Sequence, residues 1–299
     1  MRNDFAIFIL THGRPNKQLT VEALNTANYT GKIYFVVDDT DSTIQEYIDL
    51  FGTENVIIFD KNYYLNNIDV GTNTPSAKCI LYAKCATEDI AKHFGLKYFV
   101  IADDDLTDFR FRFPDKDNIV LNSWRIVKMD EVLEAMIDFM ENGDLVSLGL
   151  CEHNFFFTGV KNYDDKHTQK LCDLRIPHQF ILRNSKHTVN WISYFGEDDI
   201  TAMFCNYERP WYKFPKLQLF TEPIGGYSTT VDGMADTYKA LTEFGRCMFF
   251  KMYRPDCVTI KKMFSKSQKR KMWTKVIVKN NAFPRIISGR YKITDEKPI

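Results

Sequence analysis

The sequence predicts an α/β fold, in which helices flank a mostly parallel β-sheet. Over roughly the first hundred residues, short runs of β-branched and aromatic residues alternate with longer segments of helical periodicity. This alternation is typical of parallel strands joined by right-handed crossovers. The chain has 299 residues, of which 44% are hydrophobic, so it can bury one large core without disulfides or structural metals.

The elements of the first half follow from apolar runs and from helix-start signals. Strands are predicted at 5–10, 33–37, 56–59 and 98–102. A first helix is predicted to begin at Pro15, because the fixed φ of proline suits a first helical position. A capping box at 42–45 predicts a second helix. A loop over 61–74 is predicted to precede a long helix that begins at Pro75 and ends at Gly95.

The second half of the chain is less regular. An amphipathic helix is predicted at 130–142, short strands at 145–150 and 179–182, and a short helix at 198–205. Residues 251–299 hold 14 Lys or Arg and 3 Asp or Glu, and the whole chain is neutral, so the rest of the chain carries about −11. We therefore predict a main α/β domain over 1–245 and a basic C-terminal extension over 246–299, suited to bind a polyanion such as nucleic acid.

Other bulk properties bear on the compartment. The longest apolar runs are far too short to cross a bilayer, and the first residues lack a secretory signal pattern. The seven cysteines are an odd number without a close pair, which favours reduced thiols. We expect a cytoplasmic protein with no membrane partner.

Polar clusters follow the predicted strands, where ligands of open parallel sheets bind. These clusters are Thr11-His12-Gly13-Arg14, Asp38-Asp39, Lys61-Asn62 and Asp103-Asp104-Asp105. Asp38 or Asp39 is suited to accept a hydrogen bond from a base or ribose, and Arg14 to hold a phosphate or a base edge. Each cluster alone is also typical of caps and turns, but their joint position predicts a nucleotide diphosphate site that includes Thr11 and His12.

The triplet Asp103-Asp104-Asp105 predicts a site for a divalent metal. Consecutive carboxylates after a buried strand repel one another unless a cation or fixed donors lie between them. Such oxygen ligands suit Mg²⁺ or Mn²⁺, which complete their coordination with substrate phosphates. A divalent ion would stabilise the charge on a departing nucleotide. A solvated acidic loop is the alternative interpretation.

Two further candidates lie near predicted helix starts. Lys78 falls in the first turn of the helix from Pro75, where free N–H groups favour anions, so it is either a second diphosphate contact or an exposed lysine. In Gly196-Glu197-Asp198-Asp199, Asp198 is predicted to be the base that activates an acceptor alcohol, and Glu197 to orient the substrate. The alternative is that these acids only favour the helix dipole.

Several chemistries lack their motifs. The sequence contains no nucleophile elbow, no Walker-type phosphate loop and no dinucleotide-binding glycine fingerprint. No histidine follows His187, so a late histidine is not available as a metal ligand, and Asp232 or Asp236 would replace it.

Taken together, these motifs resemble those of glycosyltransferases with the GT-A fold. The residues that carry this resemblance are Thr11-His12-Gly13-Arg14-Pro15, Val36-Val37-Asp38-Asp39, the triplet 103–105 and Gly196-Glu197-Asp198-Asp199. More narrowly, residues 9–24, 36–42 and 102–110 are similar to the phage-encoded glycosyltransferases associated with TET-like dioxygenases, which add sugars to 5-hydroxymethylcytosine in DNA. A phage origin would place the protein in the host cytoplasm.

This resemblance implies transfer of a hexose from a uridine diphosphate (UDP) sugar to a hydroxyl, with Mn²⁺ or Mg²⁺. It implies that Asp39 contacts the uracil, Asp103 the ribose and Asp105 the metal, and that Asp198 is the base of an inverting displacement. Asp103 and Asp104 are nucleotide candidates, and Asp103 is a second metal candidate.

The basic extension supplies candidates for phosphate contacts and base stacking. They are Lys261, Lys262, Lys266, Lys269, Arg270, Lys271 and Trp273. A solvated basic tail with its aromatic residues in the core is the alternative.

Three rival functions stay open at this point: a glycosyltransferase for a polysaccharide or lipid-linked acceptor, a metal-dependent nuclease or phosphoryl-transfer enzyme that uses both acidic clusters, and a non-catalytic nucleic-acid-binding module.

Overall fold

The chain forms a seven-stranded sheet with helices on both faces. The structure is a computed structural model that describes residues 1–72, 79–114, 121–143, 145–150, 178–205, 211–213, 220–225, 241–264 and 272–278. The predicted α/β class is confirmed.

The main sheet has the order β3-β2-β1-β4-β8-β7-β9. Its strands are β1 (Phe5–Leu10), β2 (Lys32–Asp38), β3 (Val56–Phe59), β4 (Tyr98–Asp103), β7 (Ser147–Gly149), β8 (Phe180–Asn184) and β9 (Trp211–Lys213). Strands β1 to β4 pair in parallel, whereas β8 is antiparallel to both β4 and β7. The four parallel strands therefore end at one common edge.

Seven helices are described. They are α1 (Leu19–Thr26), α2 (Ile44–Phe51), α3 (Lys61–Asn67), α4 (Ile80–His93), α5 (Met129–Gly143), α6 (Glu197–Cys205) and α7 (Glu243–Tyr253). Helices α1, α2 and α5 pack on one face of the sheet, and α4, α6 and α7 on the other. Strand β1 is buried along its whole length, because its side chains alternate between these two layers.

Two smaller sheets accompany the main one. The first is three-stranded, with the order β10-β5-β6, and consists of β5 (Leu106–Pro114), β6 (Leu121–Arg125) and β10 (Phe220–Gly225). The second is a hairpin of β11 (Val258–Phe264) and β12 (Met272–Val278). None of these strands is predicted from the sequence, since their apolar residues are interrupted by polar or charged ones.

Two predicted boundaries are wrong, and each has a local cause. Helix α1 begins at Leu19, not Pro15, because the preceding segment closes a loop through Gln18, whose side-chain amide donates to the Arg14 carbonyl at 2.9 Å. The predicted loop 61–74 contains helix α3, which Asp60 caps by accepting a hydrogen bond from the Tyr63 amide at 3.0 Å. The helix predicted after 42–45 is confirmed as α2, but the capping box itself does not form, since Thr43 Oγ1 donates to Asp41 at 2.7 Å.

The helix predicted from Pro75 also starts later. Helix α4 begins at Ile80, after Cys79 in an extended conformation. Lys78, which was predicted to lie in the first turn of this helix, lies outside the described residues.

The start of the predicted basic extension packs on the core. Phe249, Phe250 and Val258 are buried in the same layer as Phe8 and Leu10 of β1. The division at residue 245 stays a prediction. Among the described residues no helix combines the length and the apolar character needed to span a membrane, and Cys79, Cys85, Cys247 and Cys257 are free thiols.

A buried ion pair joins β8 to α4. Arg183 is fully buried, and its Nε lies 2.7 Å from Oε1 of Glu88 while its Nη2 lies 3.2 Å from Oε2. The indole Nε1 of Trp191 donates to Oε1 of Glu88 at 3.2 Å. Glu88 therefore satisfies three N–H donors of two residues from the second half of the chain, and burying such an ion pair is tolerable only while its geometry is intact.

We predict that Glu88→Ala lowers the free energy of unfolding by about 3–5 kcal/mol, because Arg183 is left as a buried charge without its partner. Glu131→Ala is the matched control, since Glu131 pairs with Lys128 while both side chains are more than two-thirds exposed, and it should cost at most about 0.5 kcal/mol. Urea denaturation measures both. Equal losses in the two variants would contradict this account of Arg183.

Candidate active site

The loop after β1 is bonded directly to the acidic triplet after β4. Thr11 Oγ1 donates to Asp104 Oδ2 at 2.7 Å, and Arg14 Nη2 lies 2.9 Å from Asp104 Oδ1. Burial raises the pKa of Asp104 to about 6, although Arg14 and Thr11 act in the opposite direction. Because both of its carboxylate oxygens are engaged, Asp104 serves to join the two loops. Its contact with a nucleotide stays a prediction.

Backbone contacts hold the same loop in shape. The amide of Gly13, which has a φ of +68°, donates to Asp41 at 2.7 Å. The Arg14 amide donates to the hydroxyl of Tyr47 at 2.9 Å, and this hydroxyl lies 2.8 Å from Thr11 Oγ1. Asp41 and Tyr47 thus position the loop. Neither residue is predicted from the sequence to have this role. Tyr47 could have been identified, because it is the buried residue of α2 and its hydroxyl needs a hydrogen-bond partner.

The two aspartates after β2 have different environments. Asp38 is buried and accepts hydrogen bonds from His12 Nδ1 at 2.7 Å, from Lys61 Nζ at 3.1 Å and from Thr40. Burial alone would raise the pKa of Asp38, but these bonds outweigh it and hold the pKa well below its usual range. The same bond to Asp38 raises the pKa of His12.

Asp39, in contrast, is exposed, and its Oδ1 accepts the Lys61 amide at 3.0 Å. Of the two alternatives for a base or ribose contact, Asp39 is therefore the accessible one, while Asp38 organises the loops around it.

The second acidic cluster lies close to the triplet. Burial raises the pKa of Asp103 well above its usual value; the positive charge of Lys84 opposes this, and the negative charges of Asp105, Asp198 and Asp104 add to it. Asp103 thus lies within electrostatic range of both Asp198 on α6 and Lys84 on α4. The fold brings together two clusters that are 95 positions apart, counted from Asp103 to Asp198.

Lys84 is a buried, positively charged side chain beside the second acidic cluster. It is almost completely buried, its Nζ lies 2.9 Å from Glu197 Oε1 and hydrogen-bonds Asp198 Oδ1, and it stands 5.0 Å from the ring centre of Trp191. Burial raises the pKa of Asp198 to about 7, although Lys84 acts in the opposite direction. Lys84 is not among the residues predicted from the sequence, but a charged residue on the buried face of α4, between Leu81 and Ala91, is a signal that could have identified it.

The carboxylates supply the oxygen ligands that divalent ions prefer, but those of the described residues do not form a complete coordination shell. Among the described residues, no group of three or more His, Cys, Asp or Glu side chains is placed to hold a metal. Mg²⁺ commonly takes one or two carboxylates plus substrate phosphates. Asp103 and Asp105 offer such a pair, and burial, with the negative charges of Asp105, Asp198 and Asp104 adding to it, raises the pKa of Asp103. Asp232 and Asp236 lie outside the described residues.

The turn before α6 is fixed by helix α7. Gly196 has a φ of +66°, and a Cβ built on it would lie 2.5 Å from Cζ of Phe250. The ring of Phe249 packs 6.3 Å from Tyr194 and 6.4 Å from Phe195. Helix α7 therefore packs against the turn that presents Glu197 and Asp198.

The nucleic-acid candidates are only partly visible. Lys261 and Lys262 are exposed on β11, and Trp273 is half-buried on β12. The remaining candidates, which are Lys266, Lys269, Arg270 and Lys271, lie outside the described residues.

The fold and the family comparison together define the class of protein. A family model described as TET-Associated Glycosyltransferase matches residues 5–208, which include every acidic cluster described above, so the chain is a glycosyltransferase. It belongs to the TET-associated glycosyltransferase family.

Solved structures give distant similarities. Glucosyl-3-phosphoglycerate synthase from Mycobacterium tuberculosis, solved with Mg²⁺ and UDP, has a TM-score of 0.46 at 7% identity, over 87% of this chain and 83% of that chain. A nucleotide-diphospho-sugar transferase from Desulfovibrio desulfuricans has a TM-score of 0.35 at 6% identity, over 67% of this chain and 68% of that one. The comparison with curated protein sequences gave no match.

We predict that Gly196→Ala is clearly more destabilising than Gly95→Ala. Both glycines have a φ of +66°, but a Cβ at Gly95 would meet nothing within 4 Å. Gly95→Ala should therefore cost only the backbone strain of about 1–2 kcal/mol, and Gly196→Ala about 1–3 kcal/mol more, because Phe250 must move. Thermal and urea unfolding measure the difference. Indistinguishable stabilities would refute the contact between α7 and this turn.

Proposed function

We propose that this glycosyltransferase moves a hexose from a UDP-sugar to the hydroxymethyl oxygen of 5-hydroxymethylcytosine in phage DNA, with Mn²⁺ or Mg²⁺ as cofactor. The observation that carries the proposal is the proximity of the two acidic clusters: the Asp103 amide donates to the Gln179 carbonyl at 3.0 Å, and Nε2 of the adjacent His178 lies 3.4 Å from Asp199 Oδ1. One cluster suits a diphosphate donor and the other an acceptor hydroxyl. Membership of the TET-associated family supports DNA as the acceptor.

The donor is proposed to lie along the edge where β1, β2 and β4 end. Asp39 is exposed there and can accept a hydrogen bond from the uracil, and Asp103 can accept one from the ribose. Arg14 is held by Asp104 at 2.9 Å, so its guanidinium would bind the diphosphate at little further cost in side-chain entropy. A divalent ion bound by Asp105 and Asp103 would neutralise charge on the leaving diphosphate.

The acceptor is proposed to lie beside α6. Asp198 takes the proton of the acceptor hydroxyl while the hydroxyl oxygen bonds to the anomeric carbon of the sugar. The bond from that carbon to the UDP oxygen breaks on the opposite side. The configuration at the anomeric carbon is thereby inverted. Lys84 holds Oδ1 of Asp198, and within the described part of the chain no hydrogen bond involves Oδ2, which leaves that oxygen for the acceptor. Glu197, on the same lysine, would orient the acceptor.

The decisive test is an assay with hydroxymethylated and unmodified DNA, Mn²⁺ and a panel of sugar nucleotides, followed by mass analysis of the digested nucleosides. We expect a hexose on 5-hydroxymethylcytosine only, and a loss of at least about 100-fold in Asp105→Asn. Asp49→Asn is the control with the same charge change, because Asp49 is exposed on α2.

Other outcomes of this assay would replace the proposal. Cleavage of DNA with Mg²⁺ and no sugar nucleotide would identify a nuclease, and transfer only to a glycan or lipid-linked acceptor would redirect the acceptor assignment.

The pH dependence tests Asp198 as the base. Because protonated Asp198 cannot accept a proton, we expect kcat/KM to fall as the pH drops below the pKa of about 7. Lys84→Met removes the charge that lowers this pKa, so the acid limb should move to higher pH by roughly one unit or more. Lys128→Met, at an exposed pair, should leave the limb in place. An unmoved limb in folded Lys84→Met protein would exclude Asp198 as the titrating base.

A further inference from the structure

The hairpin of β11 and β12, called the basic hairpin below, carries lysines on both of its faces. In the antiparallel register Lys261 is directly opposite Lys275, and Lys262 is directly opposite Thr274. Neighbouring residues of a strand point to opposite faces. Lys261 and Lys275 therefore share one face, and Lys262 lies on the other.

The lysine pair is electrostatically unfavourable in the isolated protein. Lys261, Lys262 and Lys275 are all exposed, and no carboxylate in the described part of the chain forms a salt bridge with them. Like charges directly opposite on a two-stranded sheet destabilise it. A bound polyanion would remove this repulsion, so the pairing itself favours an anionic partner.

One end of the basic hairpin is fixed to the protein. Val258 is buried, and Val276 and Val278 pack against the same core. The Thr274 amide donates to the Glu243 carboxylate of α7 at 3.2 Å. At the other end Phe264 and Met272, which are paired across the strands, are 62% and 59% exposed. The basic hairpin is thus a ribbon with a rigid base and an exposed distal end.

The base of this ribbon is connected to the proposed acceptor site. Helix α7 packs on the basic hairpin and also places Phe250 against Gly196, the residue before Glu197. A partner bound on the ribbon is therefore held by the same packed layer that fixes Asp198.

We propose that the basic hairpin docks duplex DNA by entering the major groove beside the target base. The proposal rests on the proposed function for the identity of the acceptor and adds the surface and the form of DNA. The major groove, about 12 Å wide, admits a two-stranded β-ribbon. Lys262 shares its face with Val258, Val276 and Val278, which pack on the core, so the face that carries Lys261 and Lys275 is the outward one. This outward face is the one that the groove would receive, with both lysines near the flanking phosphate backbones.

The position of the acceptor hydroxyl agrees with this geometry. The C5 substituent of a pyrimidine projects into the major groove of duplex DNA, so a hydroxymethyl group at C5 is displayed in the groove that the ribbon would occupy. The ribbon would bring the duplex to the enzyme, and the rigid connection through α7 would hold the groove near Asp198.

The test uses the full chain and a short DNA duplex, with affinity measured in about 50 to 200 mM NaCl. Lys261→Gln combined with Lys275→Gln should weaken duplex binding by about tenfold or more and reduce the slope of log affinity against log salt by about two, because two phosphate contacts are lost. Lys262→Gln, on the face that packs on the core, should reduce the slope by less than either outward lysine does. The control is Lys32→Gln combined with Lys128→Gln, an equal charge change at exposed sites away from the hairpin, which should leave the slope unchanged.

Each other outcome overturns the proposal. An unchanged slope in the hairpin variants, a slope reduced equally by the control, or a loss confined to single-stranded DNA would refute docking of a duplex on the basic hairpin. The proposed function fails separately: wild-type protein that binds duplex through the hairpin but transfers no sugar would refute that function alone. Wild-type protein that transfers sugar, with hairpin variants of normal salt dependence, would refute the docking alone.

Discussion

Helix α4 carries two buried charges, and their partners decide how the second half of the chain packs on the first. Lys84 pairs with Glu197 and Asp198, and Glu88 pairs with Arg183. An unpaired charge at either position would cost several kcal/mol. The segment that contains these partners is therefore held against α4 in one arrangement, and that arrangement puts the acidic turn of α6 within electrostatic range of Asp103.

The aspartates at the sheet edge have separate tasks. Asp38, Asp41 and Asp104 are buried and satisfy donors of the surrounding loops, so their charge is compensated within the protein. Asp39 is exposed and Asp103 is partly exposed, so they face the region proposed for the nucleotide. Such a division lets an acidic edge bind an anionic donor, because the interior acids fix the loops while the accessible ones hydrogen-bond the nucleoside or hold a cation.

Helix α7 and the basic hairpin extend this layer and do not form a detached tail. Phe250 fills the space above Gly196, and Val258 is buried with the strand residues of the main sheet. The charge asymmetry of the sequence thus corresponds to a structural one, in which a basic ribbon projects from the layer that carries an acidic site. Sugar transfer to DNA would need both the basic ribbon, which attracts the anionic DNA, and the acidic site, whose bound cation would hold the anionic donor.

The sequence by itself determined the parallel strands, the clusters at their carboxyl ends and the family, because contiguous apolar runs and short motifs are local signals. It misplaced the start of α1 and missed α3, since the side chains of Gln18 and Asp60 decide those ends. Only the tertiary structure distinguished buried Asp38 from exposed Asp39, and only it paired Lys84 with residues more than a hundred positions away. Burial and partner choice depend on contacts between distant segments, and periodicity carries no information about them.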